Sequence, residues 1–339
     1  MPKSGDVFLG GRAAVLDGTN TTLYAFDTSS AVADRVTVDG FIIQKYSSPL
    51  QFGAIHVGGP SPTCPGCVAG TNWIISNNEV RENAAYGIYA GDGAQVLNNN
   101  VHHNGQSGVG GNGANMLFQD NEVAFNNTRN IDQYWDAGGS KFWHTTGLVL
   151  RHNYVHDNKG PGLWTDSDNV NALFENNTIT NNEGPGIFHE ISYAAVIRNN
   201  TLSGNGTVEG SIGWLWGSQI MVSTSQGVEV YGNTVVAPPN ANGIGVVQQN
   251  RGSGIYGTFV GAPVRVHNND ITMQASGGNH GRTGAAQDYD PSGAFFAGVT
   301  FDYDTYHVAN PGDTYWEWGG YHTWAQWQAA GQEAHGTVQ

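Results

Sequence analysis

The sequence predicts an all-β chain wound as one right-handed parallel β-helix of about ten coils, and three observations predict it. An Asn two residues before a Val, Ile or Leu returns at Asn78, Asn99, Asn121, Asn153, Asn177, Asn200, Asn233 and Asn269. A second Asn follows five residues later at Asn83, Asn104, Asn126, Asn158, Asn182 and Asn205. A Gly–apolar step then opens another short β run at Gly87–Ile88, Gly108–Val109, Gly162–Leu163 and Gly186–Ile187. Columns at a constant offset require every coil to have the same shape. An Asn at a sharp bend tolerates a left-handed backbone and can bond its amide to the Asn one coil above. Parallel strands joined by crossovers wind right-handed almost without exception.

The coils run from about residue 5 to 305 without a compositional break, so residues 1–339 read as a single domain. In each coil one strand precedes the Asn column, a short one follows it, and a third starts at the Gly–apolar step. Their alternating apolar and polar residues suit strands with one buried face. Three coils are overlong, at residues 127–140, 206–219 and 248–262, and insertions in a solenoid become loops, often on the binding face. Residues 306–339 form a Trp-rich C-terminal cap in which Thr323–Ala330 predicts a short amphipathic helix covering the open end of the stack. Cys64 and Cys67 predict a small disulfide in a loop, since no second pair completes a zinc site. The N-terminus carries neither a basic nor an apolar signal region and enters the first coil at once, which suggests a secreted protein whose export signal has been removed.

Charged residues are 12% of the chain, Gly numbers 49, mean hydropathy is −0.35, and the formal net charge is −15. That acidity disfavours nucleic acid as a partner, and no apolar stretch approaches the length of a membrane helix. A long side groove on a coil stack suits a polymer, so the expected partner is a polysaccharide or oligosaccharide, bound by a monomer.

The third strands of three consecutive coils carry an unusual concentration of polar residues. They read Ser140–Lys141–Phe142–Trp143–His144, Gly162–Leu163–Trp164–Thr165–Asp166–Ser167–Asp168, and Gly186–Ile187–Phe188–His189–Glu190. If Leu163 and Ile187 point inward, Trp164 with Phe188 and Asp166 with Glu190 point outward. With Trp135 and Asp136 from the first insertion, one patch is expected to collect Asp136, Lys141, Asp166, Asp168, His189 and Glu190 beside Trp135, Trp143 and Trp164. Carboxylates on adjacent rungs lie about 5 Å apart. Like charges that close raise one carboxyl pKa, as general acid catalysis requires. Paired carboxyls beside aromatic platforms are the constellation of glycoside hydrolysis.

At Gly139–Ser140–Lys141–Phe142, Gly160–Pro161–Gly162–Leu163–Trp164–Thr165–Asp166 and Gly184–Pro185–Gly186–Ile187–Phe188–His189–Glu190–Ile191–Ser192–Tyr193 the chain resembles the bacterial right-handed parallel β-helix repeat proteins of the pectin-lyase-like superfamily. The resemblance covers nearly the whole chain. It implies the company of pectate and alginate lyases, polygalacturonases and other glycosidases, uronan epimerases, phage tailspikes and members without known activity. The sequence lacks the polygalacturonase Asn-Thr-Asp and Arg-Ile-Lys, the epimerase-type Asp-Pro-His-Asp and the pectate-lyase Arg-x-Pro-x-x-Arg. No residue role is therefore carried over from any of these branches.

The first expectation is an extracellular enzyme that cleaves glycosidic bonds by hydrolysis, a polysaccharide-degrading glycoside hydrolase without a cofactor. Glu190 and Asp166 would be acid and base or nucleophile, Asp136 and His189 would support them, and Lys141 would tune the carboxylates. Trp164, Trp135, Trp143, Asp168, Trp216 and Arg251 would bind substrate. A lyase is the alternative, with Lys141 as base and Asp136, Asp166 and Asp168 as oxygen ligands if the site takes calcium. A non-catalytic glycan-binding β-helix is the reading from a different class, in which the acids and Lys141 only form neutralised ladders.

Overall fold

The computed structural model describes residues 1–59, 65–276, 280–290 and 292–339. The expected Cys64–Cys67 bridge involves Cys64, which lies outside the described residues; Cys67 itself is buried. Two compact units divide the chain, residues 1–160 and 161–339. Both are built from the same coil.

In the first unit, Ile74–Ser76, Gln95–Leu97, Leu117–Gln119 and Val149–Arg151 stack in parallel, aligning Ile75, Val96, Phe118 and Leu150. Beyond the Asn column, Glu79–Arg81, Asn100–His102, Glu122–Ala124 and Tyr154–His156 align Val80, Val101, Val123 and Val155. The third ladder, through Gly53–His56, Tyr86–Ala90, Ser107–Ala114 and Gly138–Thr146, aligns Ile55, Ile88, Val109 and Ser140. The second unit repeats the plan, with Phe174, Ile197, Val230, Val266 and Phe301 in one column and Ile179, Leu202, Val235, Ile271 and Tyr306 in another. Its third column runs through Leu163, Ile187, Ile220 and Ile244. Equivalent residues, all apolar but Ser140, thus become vertical columns in the core, none more than 2% exposed.

The bends differ from expectation in one respect. The left-handed residue is the one before each ladder Asn, not the Asn itself. Asn77, Asn98, Asp120 and His152 precede the first column with φ between 53° and 57°, and Glu82, His103, Phe125 and Asp157 precede the second with φ between 52° and 55°. Turning the chain in one residue frees the next side chain to point into the stack. There each amide is satisfied on every side: Asn200 Nδ2 donates to Phe174 O at 3.0 Å and Asn233 Oδ1 at 2.9 Å, while its Oδ1 accepts from the backbone and side-chain N–H groups of Asn177 at 3.0 and 2.9 Å. Asn200→Ala is expected to leave buried groups unpaired and cost about 1–3 kcal/mol for each one that water cannot reach. Thermal unfolding checks this, and a wild-type melting temperature would contradict the ladder's role.

At the far end of the second unit, Thr323 caps the helix Trp324–Ala329 through a capping box with Gln326, within the expected Thr323–Ala330. Trp327 on this helix is buried against Phe301 and Trp318, with ring centroids 5.3 and 5.4 Å apart. The strand Thr337–Val338 adds a further rung to Thr305 and Tyr306. The Asn column itself ends on an acid: Asn269 Nδ2 donates to Asp304 Oδ1 at 2.9 Å, and Asp304 N–H donates to Glu333 Oε2 at 3.2 Å.

Candidate functional site

Of the residues expected in one patch, Asp136, Lys141, Trp135 and Trp143 belong to the first unit. Asp166, Asp168, His189, Glu190, Trp164, Trp216 and Arg251 belong to the second.

The insertion in the first unit folds as a short helical turn, Gln133–Asp136, started by Asp132, whose side chain accepts from the Tyr134 N–H at 2.9 Å. The turn directs Asp136 inward, where Tyr86 Oη and Gln51 Nε2 (2.7 Å) donate to its two oxygens and Gln106 Nε2 donates to its carbonyl at 2.7 Å. Burial first, and then the charge of Asp136, push the Tyr86 phenol well above its usual range. Lys141 Nζ donates to the Trp135 carbonyl, so its ammonium holds the insertion in place. Trp143 Nε1 donates to Tyr89 Oη. Tyr89 stacks on His56, with ring centroids 5.1 Å apart, and burial lowers the His56 pKa to about 4. Only Trp135, 45% exposed, presents the open aromatic surface expected of a sugar platform in this unit's set.

In the second unit, Asp166–Glu190 stands at one register on neighbouring rungs, flanked by Trp164–Phe188. Two expectations are corrected here. His189 does not share the face of Glu190. Strict alternation turns it into the coil interior, where its ring meets Phe174 edge-on, Nδ1 pairs with Thr165 Oγ1 at 2.8 Å and Nε2 pairs with Tyr193 O at 3.1 Å. Burial pulls its pKa down to about 4, so it is a neutral core residue at physiological pH. Trp164 does point out of the coil, but it is not open to a sugar. Trp164, Phe188, Met221, Val247 and Ala286 form a second apolar cluster on the outer face, covered by Leu215 and flanked by Trp214 and Trp216 from the second insertion. Trp164 and Phe188 stack at 5.4 Å, and Trp216 meets Phe188 edge-on at 5.8 Å. Covering a ring that size contributes roughly 1.5–3 kcal/mol, so the outer sheet face gains more by burial than by display.

Beside that cluster stands Glu190. Trp164 Nε1 donates to its Oε2 at 3.2 Å, and Arg251 from the third insertion pairs with its Oε1. Arg251, expected to touch substrate, is thus an ion-pair partner of the central carboxylate. Asp168 accepts the Ile255 N–H at 2.9 Å and so ties the hairpin Ser253–Gly254 with Gly257–Thr258 to the coil. Among the described residues no three His, Cys, Asp or Glu side chains converge as a metal site.

The sequence reading missed Glu209. It precedes the short 3-10 helix Gly210–Ile212 and is buried, with its Oε2 lacking a hydrogen-bond partner among the described residues. Burial first, then the negative charge of Glu190, raise its pKa to about 8. The signal in the sequence is an acid inside the second insertion, at Gly206–Thr207–Val208–Glu209–Gly210.

A family model described as a right-handed β-helix region matches residues 67–235. No curated protein matches the sequence. Among solved structures, the chain is similar to the A-module of the mannuronan C-5 epimerase AlgE4 of Azotobacter vinelandii. That match has a TM-score of 0.51 at 16% identity, over 81% of this chain and 72% of that one. It is also similar to XylC, solved in complex with xylose, with a TM-score of 0.53 at 14% identity. That match covers 92% of this chain but only 54% of XylC. Identities this low speak for the fold alone. The chain has the fold of a right-handed parallel β-helix.

Proposed function

We propose that this protein acts on a carbohydrate polymer and cleaves glycosidic bonds by hydrolysis, with the carboxyl cluster of the second unit as its chemical centre. The observation that carries the reading is Asp166 and Glu190 in register on neighbouring rungs, with Glu190 gripped by Arg251 and Trp164. Glycoside hydrolysis needs one carboxyl that donates a proton to the leaving oxygen and another that serves as base or nucleophile. Glu190, accepting from a guanidinium and an indole N–H, suits the second role, with Asp166 beside it. Glu209, raised to about 8, keeps its proton at neutral pH and suits the first. The fold neighbours lend background support, since one is named for an enzyme of mannuronan and the other was solved with xylose.

The test is an assay of the full chain against a panel of neutral and acidic glycans, following new reducing ends. Hydrolysis of at least one is expected, and inactivity across the panel would remove the proposal. Products absorbing in the near ultraviolet would instead indicate β-elimination.

A further inference from the structure

We infer that the second unit carries a sugar-binding subsite three rungs along the stack from Glu190, in a concavity of about 320 Å³ lined by Trp214, Ala286, Gln287, Glu317 and Tyr321. The inference rests on the carbohydrate reading above and extends it to how a chain is held. Register gives the spacing: Glu190 pairs with Ser223, Ser223 with Val247, and Val247 with Ala286. Three rungs at about 4.8 Å put Ala286 roughly 14 Å from Glu190 along the stack. A hexose in an extended glycan is about as long as one rung is high, so a polymer reacting at Glu190 reaches this hollow within a few units.

Three features mark the hollow as built to receive a ligand. Trp214 and Leu215 are consecutive non-glycine residues in the left-handed region, with φ of 59° and 60°. Such backbone costs of order 1–3 kcal/mol per residue and persists only where the surroundings hold it. Here they do. Leu215 is buried in the outer cluster, its carbonyl accepts from Ser218 Oγ at 2.6 Å, and Gly245 leaves it room, since a Cβ there would come within 2.9 Å of the Leu215 Cβ. The strained pair thereby fixes Trp214 on the wall of the hollow. Second, Gln287 is a half-buried lining residue whose Oε1 has no hydrogen-bond partner among the described residues, so a small turn of its amide offers an acceptor to a sugar hydroxyl. Third, Tyr321 is 49% exposed and braced by the Arg282 guanidinium 3.5 Å from its ring centroid, which leaves the rest of the ring to the hollow.

The lining also specifies the class of sugar. Gln287 Oε1 and Glu317 offer acceptors, and among the described residues no lining side chain is basic. A uronate carboxylate would meet the like charge of Glu317, on which Arg282 and His322 act from beside the hollow, whereas the hydroxyls of a neutral sugar would donate to both groups while its apolar face packs on Trp214.

The experiment is calorimetric titration of the full chain with neutral hexasaccharides (cellohexaose, xylohexaose, mannohexaose), beside Trp214→Ala and Gln287→Ala proteins whose melting establishes that they are folded. At least one hexasaccharide is expected to bind, with Kd raised about tenfold in each variant, the net worth of one hydrogen bond or less than one buried ring. Binding indifferent to both substitutions, or no binding by any neutral hexasaccharide, overturns the subsite. Turnover is read separately. Trp214-dependent binding without cleavage supports the subsite and sinks the hydrolytic reading, while cleavage with binding indifferent to both substitutions does the reverse.

Discussion

Glu190→Gln is expected to lower kcat by about 10²–10⁴-fold, the usual worth of a positioned acid–base group. The substitution keeps the side-chain volume and the outer cluster around Trp164. It does not leave the protein otherwise untouched. Both Glu190 oxygens accept, one from Arg251 and one from Trp164, and a Gln offers only one acceptor. Either the guanidinium or the indole N–H then loses its partner, so a stability loss of about 1–3 kcal/mol accompanies the loss of activity. Relief of repulsion between neighbouring carboxylates does not offset this loss, because Arg251 already neutralises the charge. A second consequence reaches Glu209, whose pKa is raised in part by the charge of Glu190. If Glu209 is the proton donor, the wild-type kcat/KM profile falls above a pH near 8, as that carboxyl ionises, and Glu209→Gln removes the activity that the limb describes. A Glu209→Gln protein with wild-type kcat and the same alkaline limb would remove Glu209 from the mechanism and leave only a structural acid. A Glu190→Gln protein with wild-type turnover would dismiss the whole centre.

The stability of the second unit is expected to fall as pH rises, and Glu333→Gln to flatten that fall. Glu333 and Asp304 close the buried Asn column together: Asp304 N–H donates to Glu333 Oε2 at 3.2 Å, and Tyr306 Oη donates to Glu333 Oε1 at 2.9 Å. Asp304 Oδ2 has no donor from an ionised Glu333, and a protonated Glu333 supplies one. Burial, then the charge of Asp304, push the Glu333 pKa up to about 9; burial pushes Asp304 up to about 6. Both acids are raised in the fold, so the sign is fixed. Below the unfolded-state values, near 4, both states hold their protons and the contribution is fully present. Between about 4 and 9 the unfolded chain releases protons that the native state retains, and stability is lost progressively through that window. A Gln at position 333 cannot ionise, but its amide nitrogen cannot accept the Asp304 N–H as Oε2 does, so the variant starts with one bond fewer, at a cost of about 1–3 kcal/mol. The variant should melt below wild type at pH 5 and change less with pH, so that the gap narrows or reverses by pH 8.5. Curves that stay parallel over that range would mean that the pair is ionised in the native state and that the column ends in some other way.

The periodic part of this molecule was legible in its residues. Asn78, Asn99 and Asn121, with Asn83, Asn104 and Asn126 behind them, repeat because each coil must bury the same amide in the same slot, and a constraint repeated at fixed spacing leaves a visible column. Which residue takes the left-handed turn was misread by one, since Asn is common both before the ladder and within it. Asp304, the last rung, escaped notice because a single Asp for Asn breaks the pattern that reveals the column. Alternation also located Asp166 beside Glu190, and applied strictly it would have sent His189 inward as well. What alternation could not decide is what covers an outward residue. Trp164 became core and Glu190 became an ion-pair partner because insertions tens of residues away fold over them, bringing Leu215, Glu209 and Arg251 into place. Those insertions have no repeat, and their contacts are set by long-range burial and charge pairing rather than by local spacing. The sequence by itself therefore determined the coil, its ladders and the two facing rows of its sheets, while only the tertiary structure decided which side chains on those rows remain open to a ligand.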